Sequence, residues 1–291
     1  MDLRPLTDWL DKQGWLESTA NVLQPAVKGA FGGLGPASRG VKNFLHGIWL
    51  GHPFHPVMTD IPLGAWTVTL LLDLMDDGRD RSGIARAADA SVALGLAGAV
   101  GSAVTGLTDW AETDAKPRRL GVAHAVLNTT ATLLFAGSLL SRKSGLRSSA
   151  KGLAVAGYGA MIAAAWIGGD LVYHEQIGVD HSSGRELPDT LTPVLAEGDL
   201  EDGKPTRARY KETPLLLVRN GSRVYCLAET CAHMGGPLSE GRLEGRTIVC
   251  PWHASRFDLA TGEAVEGPTA FPQPCLQTRI REGQIEVKFP K

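Results

Sequence analysis

The chain has 291 residues, a formal net charge of −2 and a sequence pI near 6.4. That length suits two domains, and that charge carries no electrostatic footprint for a nucleic-acid partner. Mean hydropathy is −0.04, an average over unlike parts: residues 60 to 172 are rich in Ala, Gly, Leu and Val, whereas residues 182 to 291 have the composition of an ordinary soluble domain. At the N-terminus, Leu6, Trp9, Leu10, Leu16, Ala20, Leu23 and Val27 recur at helical spacing, with Asp8, Asp11, Lys12 and Glu17 on the other side. The pattern predicts an amphipathic helix within a tail spanning residues 1–50. Two placements suit it: packed on the rest of the protein, or lying among lipid headgroups with Trp9 and Trp15 as anchors. Gly32-Gly33-Leu34-Gly35-Pro36 ends the helix. No apolar run follows a basic start, so no secretory signal is expected.

Four apolar segments follow: Ile61 to Met75, broken by Asp73, then Ala90 to Thr108, Leu120 to Ser141 and Gly152 to Gly169. The last three have the length needed to cross a bilayer, and the first reaches it by recruiting Pro56-Val57-Met58 or by tilting. Small residues such as Gly98, Gly101, Gly157 and Gly159 allow the close helix contacts on which packing in lipid depends. The expectation is a four-helix membrane domain over 51–175; a soluble Ala-rich bundle is the alternative. An even number of spans puts both chain ends on one face. Arg79, Arg81, Arg86, Arg142, Lys143, Arg147 and Lys151 flank one face; Arg39, Lys42, Lys116, Arg118, Arg119 and Arg185 flank the other, a near tie under the positive-inside rule. The missing export signal then favours a cytoplasmic C-terminal domain.

Histidines gather at the ends of these segments. His52 and His55 stand in Gly51-His52-Pro53-Phe54-His55-Pro56, His124 near the start of the third segment, and His174 at the end of the fourth, followed by His181. Alternating topology brings them to one membrane face, whereas His46 lies upstream of this pattern. Ionisable side chains at such depth are expensive and often functional. Imidazoles from different helices can hold a haem iron, so His52, His55, His124 and His174 are candidate ligands of a b-type haem. Interfacial histidines bonded to carbonyls, with His-Pro starting a helix, are the plainer reading, and a di-metal site with Asp60 or Asp170 is a third. The Gly-His-Pro-x-His-Pro motif resembles a family of four-helix bacterial membrane proteins of unassigned function, over roughly residues 50 to 180.

A polar linker with Gly178, Gly184 and Pro188 is expected over 176–192, and a domain of short strands over 193–291. Leu215 to Val218, Val224 to Ala228 and Thr247 to Val249 alternate with turns such as Asn220-Gly221 and Glu244-Gly245. Within it lie Cys231-Ala232-His233 and, after sixteen residues, Cys250-Pro251-Trp252-His253. Zinc fingers usually pair Cys with Cys and His with His. Here each loop supplies one of each, which suits a [2Fe–2S] cluster with two thiolates on one iron and two imidazoles on the other. A mononuclear zinc site is the alternative.

The segment resembles the Rieske iron–sulfur family. The likeness extends to Gly235-Gly236-Pro237-Leu238, Phe257-Asp258, Gly262 and Gly267-Pro268, and departs from it at Ala254, where many members carry Gly. It implies a cluster at the tip of a β domain, held by Cys231, His233, Cys250 and His253, with the two imidazoles reaching the surface. High-potential members bridge two extra cysteines at the positions of Gly236 and Trp252. Their absence implies the ferredoxin-type branch and a potential in the lower part of the range of about −150 to +300 mV. Cys226 and Cys275 read as buried strand residues, with a disulfide as the alternative. The fold class is thus multidomain α plus β, a four-helix transmembrane bundle followed by an all-β Rieske domain. Three functions suit this plan. One is a membrane-tethered carrier of single electrons, between a soluble donor and a membrane-side acceptor such as haem b or quinone, with membrane lipid and redox proteins as partners. The others are an oxygenase or its component, which needs a further two-His, one-carboxylate iron site, and a redox sensor anchored by the bundle.

Overall fold

The computed structural model describes residues 4–76 and 83–290, which leaves Arg79 and Arg81 outside the described residues. The chain forms two compact units, one of Met1–Gly35 and Phe54–Ile177, the other of Pro36–Pro53 and Gly178–Lys291. The N-terminal tail expected over residues 1–50 is therefore divided between them.

In the first unit the N-terminal pattern forms two helices, α1 (Arg4–Asp11) and α2 (Gly14–Gly32), because the backbone at Gln13 is extended. Four long helices follow: α4 (Phe54–Met75), α5 (Gly83–Trp110), α6 (Ala115–Lys143) and α7 (Arg147–Tyr173), while the intervening α3 (Ser38–His46) belongs to the other unit. Leu16 and Ala20 of α2 are fully buried against Leu120, Val122, Ala123 and Ile167. Asp8, Asp11 and Glu17 pair with Lys116, Arg119 and Arg118 at the start of α6. Trp9 and Trp15 remain 57% and 50% exposed. Packing on the bundle thus buries one face of the tail and leaves both indoles half exposed.

All four long helices are long and apolar enough to cross a membrane. Even the shortest, at 22 residues, spans about 33 Å at 1.5 Å per residue, against a hydrocarbon core of about 30 Å. They pair chiefly as α4 with α5 and α6 with α7. A row of glycines on α5 receives the large side chains of α4 in antiparallel order. A Cβ on Gly95 would lie 2.1 Å from Trp66 Nε1, on Gly98 2.5 Å from Ile61 Cγ2, on Gly101 2.3 Å from Met58 Cε, and on Gly106 2.7 Å from His55 Cε1. The interior continues through Trp66 stacked on Phe135, ring centroids 4.1 Å apart. At the end of the bundle where α4 and α6 finish and α5 and α7 begin, Asp73 is not exposed but binds Arg142. The Arg142 side chain also reaches Asp89 at 3.3 Å, Arg147 joins Asp89, and Lys151 donates to the carbonyls of Asp73 and Asp76 at 2.8 and 3.0 Å.

The second unit is antiparallel β structure. Its strands are β1 (Thr192–Ala196), β2 (Thr206–Tyr210), β3 (Thr213–Asn220), β4 (Arg223–Ala228), β5 (Arg242–Glu244), β6 (Thr247–Val249), β7 (Arg256–Asp258), β8 (Ala264–Glu266), β9 (Cys275–Arg281) and β10 (Gln284–Lys288). They form a six-stranded sheet in the order β1-β10-β9-β4-β3-β2 and a four-stranded sheet in the order β5-β6-β7-β8. Asn220 pairs with Arg223 and Glu244 with Thr247, so both hairpins turn on two residues, each opening with a glycine at φ 62. β3 is buried along most of its length because it feeds two cores. Leu216 and Val218 face one, with Leu227, Leu238, Ile248 and Phe257, whereas Leu215 and Leu217 face the other, with Ile285 and Val287. Helix α3 lies on β8, the edge strand of the small sheet.

Candidate metal centre

The Cys231 and His233 loop follows β4, and the Cys250 and His253 loop joins β6 to β7. The two are built alike. In each, the cysteine N–H donates to the carbonyl five residues on, Gly236 at 2.8 Å and Ser255 at 2.9 Å. The residue four places on returns its N–H to the cysteine carbonyl, Gly235 at 2.9 Å and Ala254 at 3.1 Å. Both returning residues have left-handed backbone, φ 77 and φ 59. This geometry explains the glycine that the Rieske family favours at the position of Ala254. The cysteines are rooted in the apolar core beside Leu238, Ile248 and Phe257, while the imidazoles are only partly buried.

The two loops bring like donors together. His233 Nδ1 and His253 Nδ1 are 3.3 Å apart, with the rings at 83°. Two nitrogens bound at about 2.0–2.1 Å to one tetrahedral metal would be separated by about that distance. Cys231 and Cys250 share a hydrogen bond through their side chains. Backbone N–H groups of Trp252 and His253 also favour the Cys250 thiolate, and its pKa falls to about 6, with the shared bond to Cys231 the largest cause. The same bond, with burial, raises Cys231. Burial first, then the neighbouring His253, His46 and His181, push His233 down to about 3, so its ring is neutral, the form that ligates metal. A nitrogen pair beside a sulfur pair fits a two-iron cluster. Among the described residues, no three His, Cys, Asp or Glu side chains are arranged to hold one ion.

Other side chains that carry no spacing signal shape the site. Gln273 is buried; its amide donates to the carbonyls of Ala228 and Thr230 at 2.7 and 2.6 Å and accepts from the N–H of Ala232 at 3.1 Å. It fixes the first loop from behind. His181 donates its main-chain N–H to Ala232 at 3.1 Å. A Cβ at Gly236 would lie 3.0 Å from Cys250 Sγ and 3.0 Å from the Trp252 ring, so these two positions face each other across the loops. Trp252 itself is 57% exposed beside His253.

Residues 190–277 match the family "Rieske [2Fe-2S] domain". Over 95 residues the chain is 34% identical to the ferredoxin CarAc of Metapseudomonas resinovorans, covering 89% of that protein and 32% of this chain. The chain belongs to the Rieske [2Fe–2S] family. It is also 36% identical over 96 residues to the ferredoxin component of the 2,4-dinitrotoluene dioxygenase system of Burkholderia sp. (strain RASC), covering 92% of it and 33% of this chain. Mouse apoptosis-inducing factor 3 is 28% identical over 93 residues, 32% of this chain, but the chain spans only 15% of that protein. Residues 51–181 match the family "Predicted membrane protein (DUF2231)". The Rieske module therefore follows a stretch that matches a family of predicted membrane proteins.

The candidate bundle histidines fall in both units. His52 belongs to the C-terminal unit, where it is exposed and its Nδ1 lies 3.1 Å from the Pro53 carbonyl. His181 belongs there too. His174 ends α7 half exposed, 3.6 Å from Asp170. His55 and His124 alone turn inward and lie within electrostatic reach of each other. His55 Nδ1 meets Thr105 Oγ1 at 3.2 Å. His124 Nδ1 meets the Ala164 carbonyl at 2.8 Å, and its Nε2 meets Asn128 Nδ2 at 3.0 Å. Both ring nitrogens of His124 are thus engaged, Nδ1 by a carbonyl and Nε2 by the Asn128 amide. Cys226 and Cys275 are free thiols on neighbouring strands but face different cores.

Proposed function

We propose that the protein is a membrane-anchored Rieske electron carrier in which Cys231 and Cys250 hold one iron and His233 and His253 the other. The observation that carries this reading is the pairing of the two imidazole Nδ1 atoms at 3.3 Å beside the paired thiols. The cluster would supply a reversible one-electron couple. The protein surrounds its sulfur end with core side chains and leaves the imidazoles partly exposed beside the exposed Trp252, where a partner can approach. The names of the matched relatives, ferredoxins and ferredoxin components of dioxygenase systems, support a carrier over an oxygenase. We assign the electron route to a soluble donor and a membrane-side acceptor, on the strength of the fusion to four apolar helices. A quinone is one acceptor for this route; the open apolar cleft of about 560 Å³ bordered by Trp15, Leu127, Ile162 and Trp166 would take an apolar chain, of quinone or of lipid. Haem held by His55 and His124 would first have to displace Asn128 from Nε2 of His124, while the Nδ1 bond to the Ala164 carbonyl could stay.

Anaerobic reduction of detergent-purified, iron-replete protein tests the reading. A reduced-state Rieske EPR signal that disappears in His233→Ala and persists in Cys226→Ala is expected. A colourless, zinc-loaded protein would overturn it. A pyridine haemochrome assay on the same sample decides the haem, and a C-terminal reporter fusion decides the side of the membrane.

A further inference from the structure

Residues 36–50 lie outside both stretches that match known families, which cover 51–181 and 190–277. They are nevertheless part of the C-terminal unit. Arg39, Asn43 and His46 follow one another at i, i+4 and i+7, one stripe of α3, and all three meet the segment that runs out of β8. Arg39 pairs with Glu266 at 3.1 Å. The Asn43 amide donates to the Val265 carbonyl at 3.2 Å and accepts from the Gly267 N–H at 3.2 Å. It thereby satisfies two main-chain groups on the free edge of the small sheet, as a neighbouring strand would. The His46 ring is 1% exposed and rests on Gly267, where a Cβ would lie 2.8 Å from its Cδ2.

The gripped segment is connected to the second ligand loop. Glu266 also pairs with Arg256 at 3.0 Å, on the strand that leaves that loop. Thr269 donates its N–H to Ser255 Oγ at 3.4 Å, and the Ser255 carbonyl accepts the Cys250 N–H. His46 also lies within electrostatic reach of His233.

We propose that α3 is a strap for the cluster and that His46 is a positioning residue, setting the 265–269 segment against the loop that carries Cys250 and His253. The inference rests on the Rieske reading above. Partners that hydrogen-bond the ligands themselves change metal affinity by about 10–100-fold when removed; His46 acts one contact further out, and the lower end of that range is expected.

The test uses the full chain, loaded with its cluster in detergent. His46→Ala is expected to lose the cluster to a chelator about 10-fold faster, with a shifted midpoint potential and altered EPR g-values. Gly267→Ala, which drives a methyl group into the His46 ring, is expected to do the same from the opposite side. His46→Phe keeps a planar ring over Gly267 and is expected to restore most of the lifetime, and it remains readable should His46→Ala fail to fold. Val41→Ala, on another face of α3, leaves all three measurements unchanged. Wild-type lifetime, potential and g-values in both His46→Ala and Gly267→Ala would overturn the proposal while leaving the carrier intact. Absence of any Rieske signal in the unsubstituted protein would instead overturn the reading beneath it.

Discussion

Ala254 holds a backbone conformation, φ 59, that an L-residue adopts at a cost of about 1–2 kcal/mol. Replacing it with glycine removes that cost but returns about 0.4–1 kcal/mol of freedom to the unfolded chain. Ala254→Gly is therefore expected to stabilise the protein by about 0.5–1 kcal/mol, read as a rise in the denaturation midpoint. Gln273 works the other way. Its side chain satisfies two carbonyls and one N–H that are otherwise buried. Gln273→Ala is expected to cost about 2–4 kcal/mol and to loosen the loop of Cys231 and His233, which denaturation and chelator-driven bleaching would register. The ligand residues were legible in the sequence because cysteine and histidine at loop spacing carry their own chemistry. Gln273 was not, because a lone glutamine between prolines says nothing until the carbonyls it serves are folded around it.

Helices show the same division between what periodicity reveals and what contact decides. The four apolar runs predict the four long helices, each of which extends by several residues beyond its run. What the runs do not disclose is the order in which glycines on α5 receive Trp66, Ile61, Met58 and His55 of α4. Gly95→Ala puts a methyl group 2.1 Å from Trp66 Nε1 and is expected to destabilise the bundle by about 1–3 kcal/mol, measurable by thermal unfolding in detergent. Asp73 breaks an apolar run on paper, yet in the fold it is the partner of Arg142, whose side chain is fully buried. Arg142→Ala would strand that carboxylate, a change expected to cost about 3–5 kcal/mol; Asp73→Asn in the same background should recover part of it. Helix α3 was the least legible element. Arg39, Asn43 and His46 look like a solvated polar stripe, because their partners lie more than two hundred residues along the chain.

The whole molecule combines a carrier module with four helices fit to cross a bilayer. Carbonate washing of membranes is expected to leave it in the pellet, and release without detergent would show that the helices form a water-soluble bundle. The fold classes of both parts follow from composition and period, but the boundary between them does not. The sequence suggests a tail, a bundle, a linker and a module in series. Physically, residues 36–53 join the last of these because their polar side chains find the free edge of β8 there.

The chain consequently passes between its two units three times, at residues 35–36, 53–54 and 177–178. A simple end-to-end gene fusion would pass once. Exchanging residues 178–291 for a free-standing ferredoxin would therefore discard the surface that Arg39, Asn43 and His46 recognise, leaving an orphaned graft on one side and an ungripped carrier on the other. Separately expressed, residues 178–291 would be a module missing a piece of itself, and a peptide of residues 36–53 added in trans should restore its cluster lifetime.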